Sequence, residues 1–294
     1  MQLFSYQRGD EMRIGFRRDR TLFDLRDAVA AFGANDEVPS DMAAFLAAGG
    51  PNHPAIRATV EAASIIPLDA SQIRLLAPVP HPGKILGVGR NYGAHGAEGG
   101  LQPQEQPRIF AKLGNSVIGP DAPIIRPEGI MKLDWEVELA AVIGRRMKAV
   151  AERDALAHVA GYTILNDISA RELQFDVSPP QTTFAKSMDG FTPMGPVLVT
   201  ADEFGDPQEA GLRCFVNGAL MQEGNTRDMI FSIANILSYL SRFMTLEPGD
   251  IIATGTPAGV GHFRSPPVYL QPGDVVRLEI DRIGVLENCV VEAS

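Results

Sequence analysis

The chain has 294 residues, of which 45% are hydrophobic and 21% charged, a composition typical of a globular protein long enough to bury a large core. Its 26 basic and 36 acidic residues give a formal net charge of −10 without a Lys/Arg cluster, which argues against a nucleic-acid partner. No apolar run is long enough to span a membrane and the start lacks the plan of a secretory signal, so we expect no membrane partner and a cytoplasmic location.

The first predicted unit is a small α+β domain over residues 1–75. Its predicted elements are strands at 1–6 and 12–16, then helices at 22–32, 41–48 and 54–63. A Pro-rich connector follows over residues 76–82, where proline fixes its own φ and biases the preceding residue away from helix. We therefore place a boundary there and expect a second, catalytic domain over residues 80–294.

The second domain consists mainly of short β-rich runs separated by Gly and Pro, which predicts an antiparallel or mixed β architecture rather than βαβ alternation. Together with the first unit, the expected fold class is α+β, mostly β. One helix is clear, because apolar residues repeat at helical spacing over residues 229–243. Asn225 or Thr226 can cap its start, and Pro248-Gly249 ends it.

A glycine-rich segment, residues 84–93, opens the second domain. It is similar to a dinucleotide-binding fingerprint, but Tyr92 stands where that fingerprint requires glycine and no helix is expected directly after it. His95 and Glu98 follow at a spacing that brings a carboxylate to an imidazole within one helical turn. Such a pair is a competent general base near neutral pH, and the alternative is a surface pair without a role. The neighbouring glycines favour a mobile loop over a ligand.

Three acidic residues carry most of the chemical information. Glu136 and Glu138 lie two apart in the strand-like run 135–143, so both point to one face. Asp167 ends a second apolar run, 161–167. Carboxylates held close together repel unless a cation lies between them, and oxygen donors suit Mg²⁺. The alternative for the glutamates is a solvated face, which the apolar flanks disfavour because they predict a strand buried on both sides.

Asp167 has an alternative role as the N-cap of a helix over residues 168–175. Ser169 and Glu172, however, form a capping box of their own, which would leave Asp167 free to bind a metal.

Two later segments complete the predicted site. Lys186 follows an apolar pair and precedes an Asp-Gly turn, which favours an ammonium directed at the site over the solvated lysine that is more common. Residues 253–261 offer N–H groups and hydroxyls directly after a strand, either as a cradle for a carboxylate or as a plain glycine-rich turn.

These segments together resemble the fumarylacetoacetate hydrolase family over about residues 80–294. The motifs that carry the resemblance are residues 87–92 with His95 and Glu98, 134–139, 161–167, 185–190 with Gly195-Pro196, Asn217-Gly218 and 255–261. The resemblance implies a rolled mixed β-sheet core with a small N-terminal domain, assembled as a homodimer.

The resemblance also implies a role for each candidate residue. The implied roles are Mg²⁺ or Mn²⁺ ligation by Glu136, Glu138 and Asp167, charge stabilisation and substrate orientation by Lys186, activation of water by His95 with Glu98, contact with the substrate carboxylate by Thr256, and lining of the pocket entrance by Arg90, Asn91 and Tyr92.

The implied activity is hydrolysis of a C–C bond in a 2,4-dioxo acid of the acylpyruvate or fumarylpyruvate type, through an enolate whose charge the ion stabilises. Alternatives for the same site are decarboxylation of an oxaloacetate-like acid, isomerisation of the 2-hydroxyhepta-2,4-diene-1,7-dioate type, and hydration of a related 2-oxo acid. The partner in each case is a small-molecule oxo acid, as in aromatic or sugar acid catabolism. A metal-dependent oxo-acid binding protein is the non-enzymatic alternative, which the His95–Glu98 pair disfavours.

Overall fold

A computed structural model describes residues 1–32, 38–61, 66–100, 102 and 104–293. Over these residues the fold is α+β and mostly strand, which confirms the predicted class. The strands form an 11-stranded sheet, a five-stranded sheet and a two-stranded ribbon within the described part of the chain.

The strands are β1 Gln2–Arg8, β2 Glu11–Arg18, β3 Thr21–Asp24, β4 Arg74–Leu75, β5 Ile85–Gly89, β6 Arg108–Lys112, β7 Val117–Ile118, β8 Ile124–Arg126, β9 Leu133–Asp134, β10 Val137–Ile143, β11 Val159–Asn166, β12 Ser169–Ala170, β13 Thr192–Thr200, β14 Gly211–Val216, β15 Ala219–Asn225, β16 Ile251–Ala253, β17 Val275–Ile280 and β18 Gly284–Glu292. The α-helices are α1 Leu25–Ala31, α2 Met42–Ala47, α3 Pro54–Glu61, α4 Gly93–Glu98, α5 Glu152–Ala155, α6 Thr182–Ala185, α7 Ala201–Phe204 and α8 Ile233–Phe243. Short 3₁₀ turns cover Gly50–Asn52, Ala70–Gln72, Gly114–Ser116, Leu156–His158 and Thr226–Asp228, and a π-helical turn covers Glu172–Asp176.

The large sheet has the strand order β3-β2-β1-β13-β11-β10-β16-β5-β6, with β4 and β7 attached to β1 and β13. Neighbours are mostly antiparallel, but β16 pairs with β5 in parallel, so the sheet is mixed. Every residue of β10 and β11 is buried, as continuous apolar runs predict for strands covered on both faces. Val137, Leu139 and Ala141 pack into one core cluster and Ala140 and Val142 into another, which confirms the predicted two faces of β10.

The N-terminal strands continue this sheet. β1 pairs with β13 at Gln2↔Val199 and Leu3↔Leu198, so hydrogen bonds cross from residues 1–75 into the second predicted unit. The division into residues 1–75 and 80–294 stays a prediction of the sequence. No helix in the described part of the chain is both long and apolar enough to cross a membrane.

The predicted helices of the N-terminal unit are present, and the first of them starts three residues later than predicted. Residues 21–24 form β3, so the helix predicted at 22–32 begins at Leu25, capped by the Asp24 side chain. The helix predicted at 54–63 is α3, and residues 62 and 63 of that prediction lie outside the described residues.

The long helix of the second domain begins later than predicted. The Ser232 side chain accepts the Asn235 N–H at 3.1 Å and caps α8, whereas Asn225 caps the short turn Thr226–Asp228. The predicted start was wrong because apolar Met229 and Ile230 match the helical period by chance. The Ile230 N–H donates instead to the Asn91 carbonyl, 2.7 Å away, in a bend that precedes α8.

Candidate active site

A cavity of about 170 Å³ opens beside the centre of the large sheet. Six residues predicted from the sequence lie in its wall, namely Arg90, His95, Glu136, Glu138, Lys186 and Thr256. Asp167 lies next to this wall, fully buried, in contact with Lys186. The structure thus brings together segments more than 160 residues apart in the chain.

The three predicted metal ligands converge. Antiparallel pairing of β10 with β11 sets Val137 opposite Asn166, and the Asp167 N–H donates to the Glu136 carbonyl at 2.9 Å. One carboxylate oxygen from each of Glu136, Glu138 and Asp167 lies within 4.8 Å of the others. All three side chains are buried. Ligation of a metal by them stays a prediction, but the geometry it requires is present.

The carboxylates of this acidic cluster repel one another. Burial raises the pKa of Glu138 well above its ordinary value, and the carboxylates of Asp167 and Glu136 raise it further. Burial also raises the pKa of Glu136, but Lys186 and Arg171 outweigh that effect and lower the pKa to about 2. A divalent cation would relieve the repulsion at Glu138, and three carboxylates are the donor set that Mg²⁺ or Mn²⁺ prefers. The residues present therefore fit such an ion.

Lys186 spans two members of the acidic cluster. Its Nζ is 2.5 Å from Asp167 Oδ2 and 3.1 Å from Glu136 Oε2, and it donates to Ser169 Oγ at 2.8 Å. The ammonium also lies over the Phe110 ring, 5.0 Å from its centroid. Burial lowers the pKa of Lys186, but Asp167 and Glu136 outweigh it and the pKa is raised, so the ammonium stays charged.

Two buried cations of the site were missed from the sequence, and Lys112 is the first. At the end of β6 it donates to Asp167 Oδ1 at 2.6 Å and to the Phe191 carbonyl at 3.0 Å. Each oxygen of Asp167 therefore has its own ammonium partner. Lys112 ends the run Ile109-Phe-Ala, and an apolar run ending in a charge is the signal that identified Asp167.

The second missed cation is Arg171. Its Nε donates to Asp134 Oδ2 at 2.8 Å, and its Nη2 lies 2.7 Å from Glu136 Oε1 as an ion pair outside hydrogen-bond alignment. Arg171 is 2% exposed and lies in the cavity wall, where its ion pair holds Glu136 in place. It lies inside the stretch that the sequence assigned to a capping box.

That capping box was wrong, and of the helix considered over residues 168–175 only the second half is helical, as the π-helical turn Glu172–Asp176. Ser169 and Ala170 form β12, paired with β9, and Ser169 Oγ accepts from Lys186. Glu172 Oε1 accepts from the Met131 and Lys132 N–H groups, at 2.6 and 3.0 Å, instead of from Ser169. A strand pairing that brings in residues 133–134 thus overrides the local helix signal.

His95 and Glu98 lie on α4, so the stretch predicted as a mobile glycine-rich loop is a short helix. His95 Nδ1 is 3.5 Å from Glu98 Oε2, without the alignment of a hydrogen bond. Glu98 Oε1 accepts the Gly259 N–H at 2.9 Å, which fixes the carboxylate beside the loop that follows β16. His95 is in the cavity wall, and the Phe263 ring packs against it at 5.8 Å. The spacing that predicted an imidazole beside a carboxylate is realised in the fold, and the catalytic role of the pair stays a prediction.

Thr256 lies in the cavity wall with its hydroxyl already engaged. The Oγ1–H donates to the Val137 carbonyl at 2.9 Å, and Oγ1 accepts from Gln222 at 2.8 Å. A hydroxyl has one proton to donate. Contact of Thr256 with a substrate carboxylate stays a prediction. Because the hydroxyl proton goes to the Val137 carbonyl, a carboxylate at this position would need a hydrogen bond from a different donor.

Of the three residues predicted at the pocket entrance, one lies in the cavity wall and two do not. Arg90 lines the cavity. The Asn91 side chain instead bonds three backbone groups, at Phe231 and Thr254, and Tyr92 is buried in the core with its hydroxyl unpartnered among the described residues. Asn91 therefore fixes the turn that carries Arg90, and substrate contact by Asn91 and Tyr92 stays a prediction.

Comparison with known proteins agrees with this geometry. Oxaloacetate tautomerase fahd2, mitochondrial, of Xenopus laevis is 47% identical over 224 residues, 76% of this chain and 70% of that protein. Oxaloacetate tautomerase FAHD2A, mitochondrial, of Homo sapiens is 42% identical over 254 residues, 86% of this chain and 81% of that protein.

Solved structures match over the full length. A putative HpcE protein from Mycobacterium smegmatis superposes with a TM-score of 0.88 at 34% identity, covering 100% of both chains. Maleylpyruvate hydrolase from Sphingobium sp. SYK-6, in complex with manganese (II) ion and pyruvate, superposes with a TM-score of 0.80 at 33% identity, again covering 100% of both chains. The family model for the C-terminal domain of fumarylacetoacetate (FAA) hydrolase matches residues 84–291, and on this evidence the chain belongs to the fumarylacetoacetate hydrolase family, as its motifs predicted.

Proposed function

We propose that this protein is a divalent-metal-dependent enzyme that interconverts the keto and enol forms of a 2-oxo acid, with oxaloacetate as the leading substrate. The observation that carries the proposal is the buried acidic cluster of Glu136, Glu138 and Asp167 beside a charged Lys186 in a cavity wall. The names of the tautomerases from Xenopus laevis and Homo sapiens support oxaloacetate as the substrate.

Glu136, Glu138 and Asp167 would hold Mg²⁺ or Mn²⁺. When bound, the cation supplies Lewis-acid polarisation of the substrate carbonyl and offsets enolate charge. The manganese and pyruvate in the Sphingobium sp. structure support an ion and a 2-oxo acid as ligands of this fold.

The chain's own residues supply charge and proton transfer. Lys186, whose three N–H groups go to Asp167, Glu136 and Ser169, places its positive charge in the cavity wall, where it offsets negative charge that develops on a substrate oxygen. The His95 imidazole takes the proton from the carbon next to the ketone, and the enolate oxygen takes a proton from water. The hydroxide left behind takes the proton from His95, and ketonisation reverses these transfers. The Glu98 carboxylate, fixed by the Gly259 N–H, lies 3.5 Å from His95 Nδ1 and faces the ring as it takes the proton.

The second candidate is the C–C bond hydrolysis predicted from the sequence. It is supported by the His95–Glu98 pair, which can take a proton from water as the water oxygen bonds to the distal ketone carbon. The C–C bond then breaks, and its electron pair leaves as an enolate that is protonated to a pyruvate-type product. The solved maleylpyruvate hydrolase supports this alternative. Decarboxylation, diene-dioate isomerisation and hydration remain further outcomes of the same test.

A substrate panel with and without EDTA tests the proposal. We expect purified protein with Mg²⁺ or Mn²⁺ to accelerate loss of the enol absorbance of oxaloacetate above the metal-only rate, and EDTA to abolish the acceleration. Glu138→Gln should lose activity, whereas Glu128→Gln, at an exposed position away from the cavity, should keep it. Loss of diketone absorbance from an acylpyruvate with formation of two acids would favour the hydrolase. Full activity in EDTA would refute metal dependence in either reaction.

We also propose a homodimer in solution and a cytoplasmic location. Light scattering after gel filtration gives the mass that tests the former, and cell fractionation tests the latter.

A further inference from the structure

Two arginines line the cavity without an acidic partner. Arg90 and Arg108 both lie in its wall, and neither forms an ion pair with any carboxylate in the described ranges. Burial lowers the pKa of Arg90, and the nearby charge of Arg108 lowers it further. Two like charges therefore face one cavity in a protein with a net charge of −10, an arrangement that an anion would stabilise.

The backbone fixes the positions from which the Arg90 and Arg108 side chains extend. Arg108 pairs with Gly89 in the β5–β6 ladder, and a Cβ at Gly89 would lie 3.8 Å from Arg108 Cδ, so the arginine stem passes over the glycine. Arg90 has a φ of +61°, an uncommon conformation for a residue with a side chain. The hydrogen bonds of Asn91 to Phe231 and Thr254 hold this turn, so Arg90 is anchored despite the strain.

One face of β6 leads from the acidic cluster to these arginines. Arg108, Phe110 and Lys112 are two apart, so their side chains share that face. Lys112 contacts Asp167, and Phe110 lies under the Lys186 ammonium. Arg108 starts about 7 Å beyond Phe110 along the strand. A substrate with its oxo-acid end at Lys186 therefore extends along Phe110 toward Arg108 and Arg90.

We infer that Arg108, together with Arg90, binds a second carboxylate at the far end of the substrate, and that Arg108 thereby selects 2-oxo diacids over 2-oxo monoacids. Arginine suits this role because its planar fork donates two parallel hydrogen bonds to a carboxylate. The inference rests on the proposed function, because it takes the oxo-acid end of the substrate to lie at the cation that Glu136, Glu138 and Asp167 would hold. It adds Arg108 and Arg90 as the residues that bind the second carboxylate of the substrate.

The test compares a diacid with a monoacid. We would measure kcat/KM of the wild type, Arg108→Gln and Arg108→Glu for oxaloacetate and for 2,4-dioxopentanoate with Mg²⁺, subtracting metal-only rates. The ratio of the diacid value to the monoacid value should fall about tenfold or more in Arg108→Gln, the scale of a lost charge-assisted hydrogen bond, and further in Arg108→Glu. Arg153→Gln is the matched control, because Arg153 is exposed on α5, and its ratio should equal that of the wild type. An unchanged ratio in both Arg108 variants would overturn the inference.

A binding measurement separates this inference from the proposed function. Trp135 is the single tryptophan, is buried, and precedes Glu136, so its fluorescence reports ligands at the cluster. In Mg²⁺, Arg108→Gln should weaken oxaloacetate binding about tenfold and pyruvate binding less than about twofold. Equal weakening of both would overturn the inference and leave the proposed function standing. A wild type that neither binds nor turns over any of these acids with Mg²⁺ or Mn²⁺ would overturn both.

Discussion

Lys112→Met is the substitution whose effect follows most directly from the contacts. Methionine has a similar length but neither charge nor donors. The Lys112 side chain is fully buried, which lowers its pKa although Asp167 opposes the shift, and its Nζ donates to Asp167 Oδ1 at 2.6 Å and to the carbonyls of Phe191 and Lys186. Removing it leaves three buried acceptors without this donor, and one of them is a carboxylate.

The magnitude follows from that loss. Removing one partner of a buried ion pair costs about 3–5 kcal/mol, because the remaining charge is left uncompensated. At about 2–4 °C per kcal/mol for a large domain, the metal-free variant should melt about 6–20 °C below the wild type. Mg²⁺ should recover part of this loss and bind more tightly than in the wild type, because Lys112 repels a cation placed against Asp167.

Thermal unfolding with and without Mg²⁺ measures both effects, and a metal titration gives the affinity. The matched control is Lys148→Met, at an exposed lysine whose one hydrogen bond within the described ranges goes to the Arg242 carbonyl at 3.3 Å, and its stability should change by less than about 0.5 kcal/mol. If Lys112→Met were as stable as the control, the ammonium would not be neutralising Asp167 in the folded protein. Weaker Mg²⁺ binding in the variant would refute the repulsion argument.

Three further predictions concern the acidic cluster and the imidazole. Glu138→Ala should abolish the rise in melting temperature on Mg²⁺ addition together with turnover, and a retained Mg²⁺ shift would remove Glu138 from the ligand set. His95→Ala should cut turnover by about 10²-fold, the scale of a positioned general base, while leaving that Mg²⁺ shift intact; full turnover would exclude His95 from the mechanism. The third concerns pH. Because the pKa of Glu138 is raised in the metal-free fold, the stability that its protonated form contributes is present at low pH and lost as pH rises through that pKa. The rise in melting temperature on Mg²⁺ addition should therefore grow from pH 5.5 to pH 8. Melting curves across that range check the sign, and a shift that shrinks with pH would contradict it.

The parts of the site that could be predicted are those that one strand encodes by itself. Two-residue periodicity put Glu136 and Glu138 on one face, and the apolar flanks of β10 predicted burial on both sides, which the two core clusters confirm. Asp167 could be found because a buried run ends at it. These inferences needed only the period and the hydropathy of a single segment.

The parts that failed depend on which segments meet. Ser169 and Glu172 have the spacing of a capping box, yet the pairing of β12 with β9 takes Ser169 into a ribbon and turns its hydroxyl to Lys186. Arg171, which follows β12, is the buried partner of Asp134 and Glu136. The sequence spacing of these residues indicates a local structure, but the pairing with β9, which the spacing does not indicate, determines the conformation they adopt.

Lys112 shows this dependence at the scale of the whole sheet. In the strand order, β6 lies four strands from β11. At about 4.8 Å per strand, a flat sheet would separate them by about 19 Å, farther than a lysine and an aspartate side chain reach together. Lys112 Nζ nevertheless lies 2.6 Å from Asp167 Oδ1, so the sheet must curl until its β6 edge approaches the end of β11. Curvature of this kind accumulates over all the strands between them. The contact that neutralises Asp167 is therefore a property of the rolled sheet, and neither of the two segments encodes it alone.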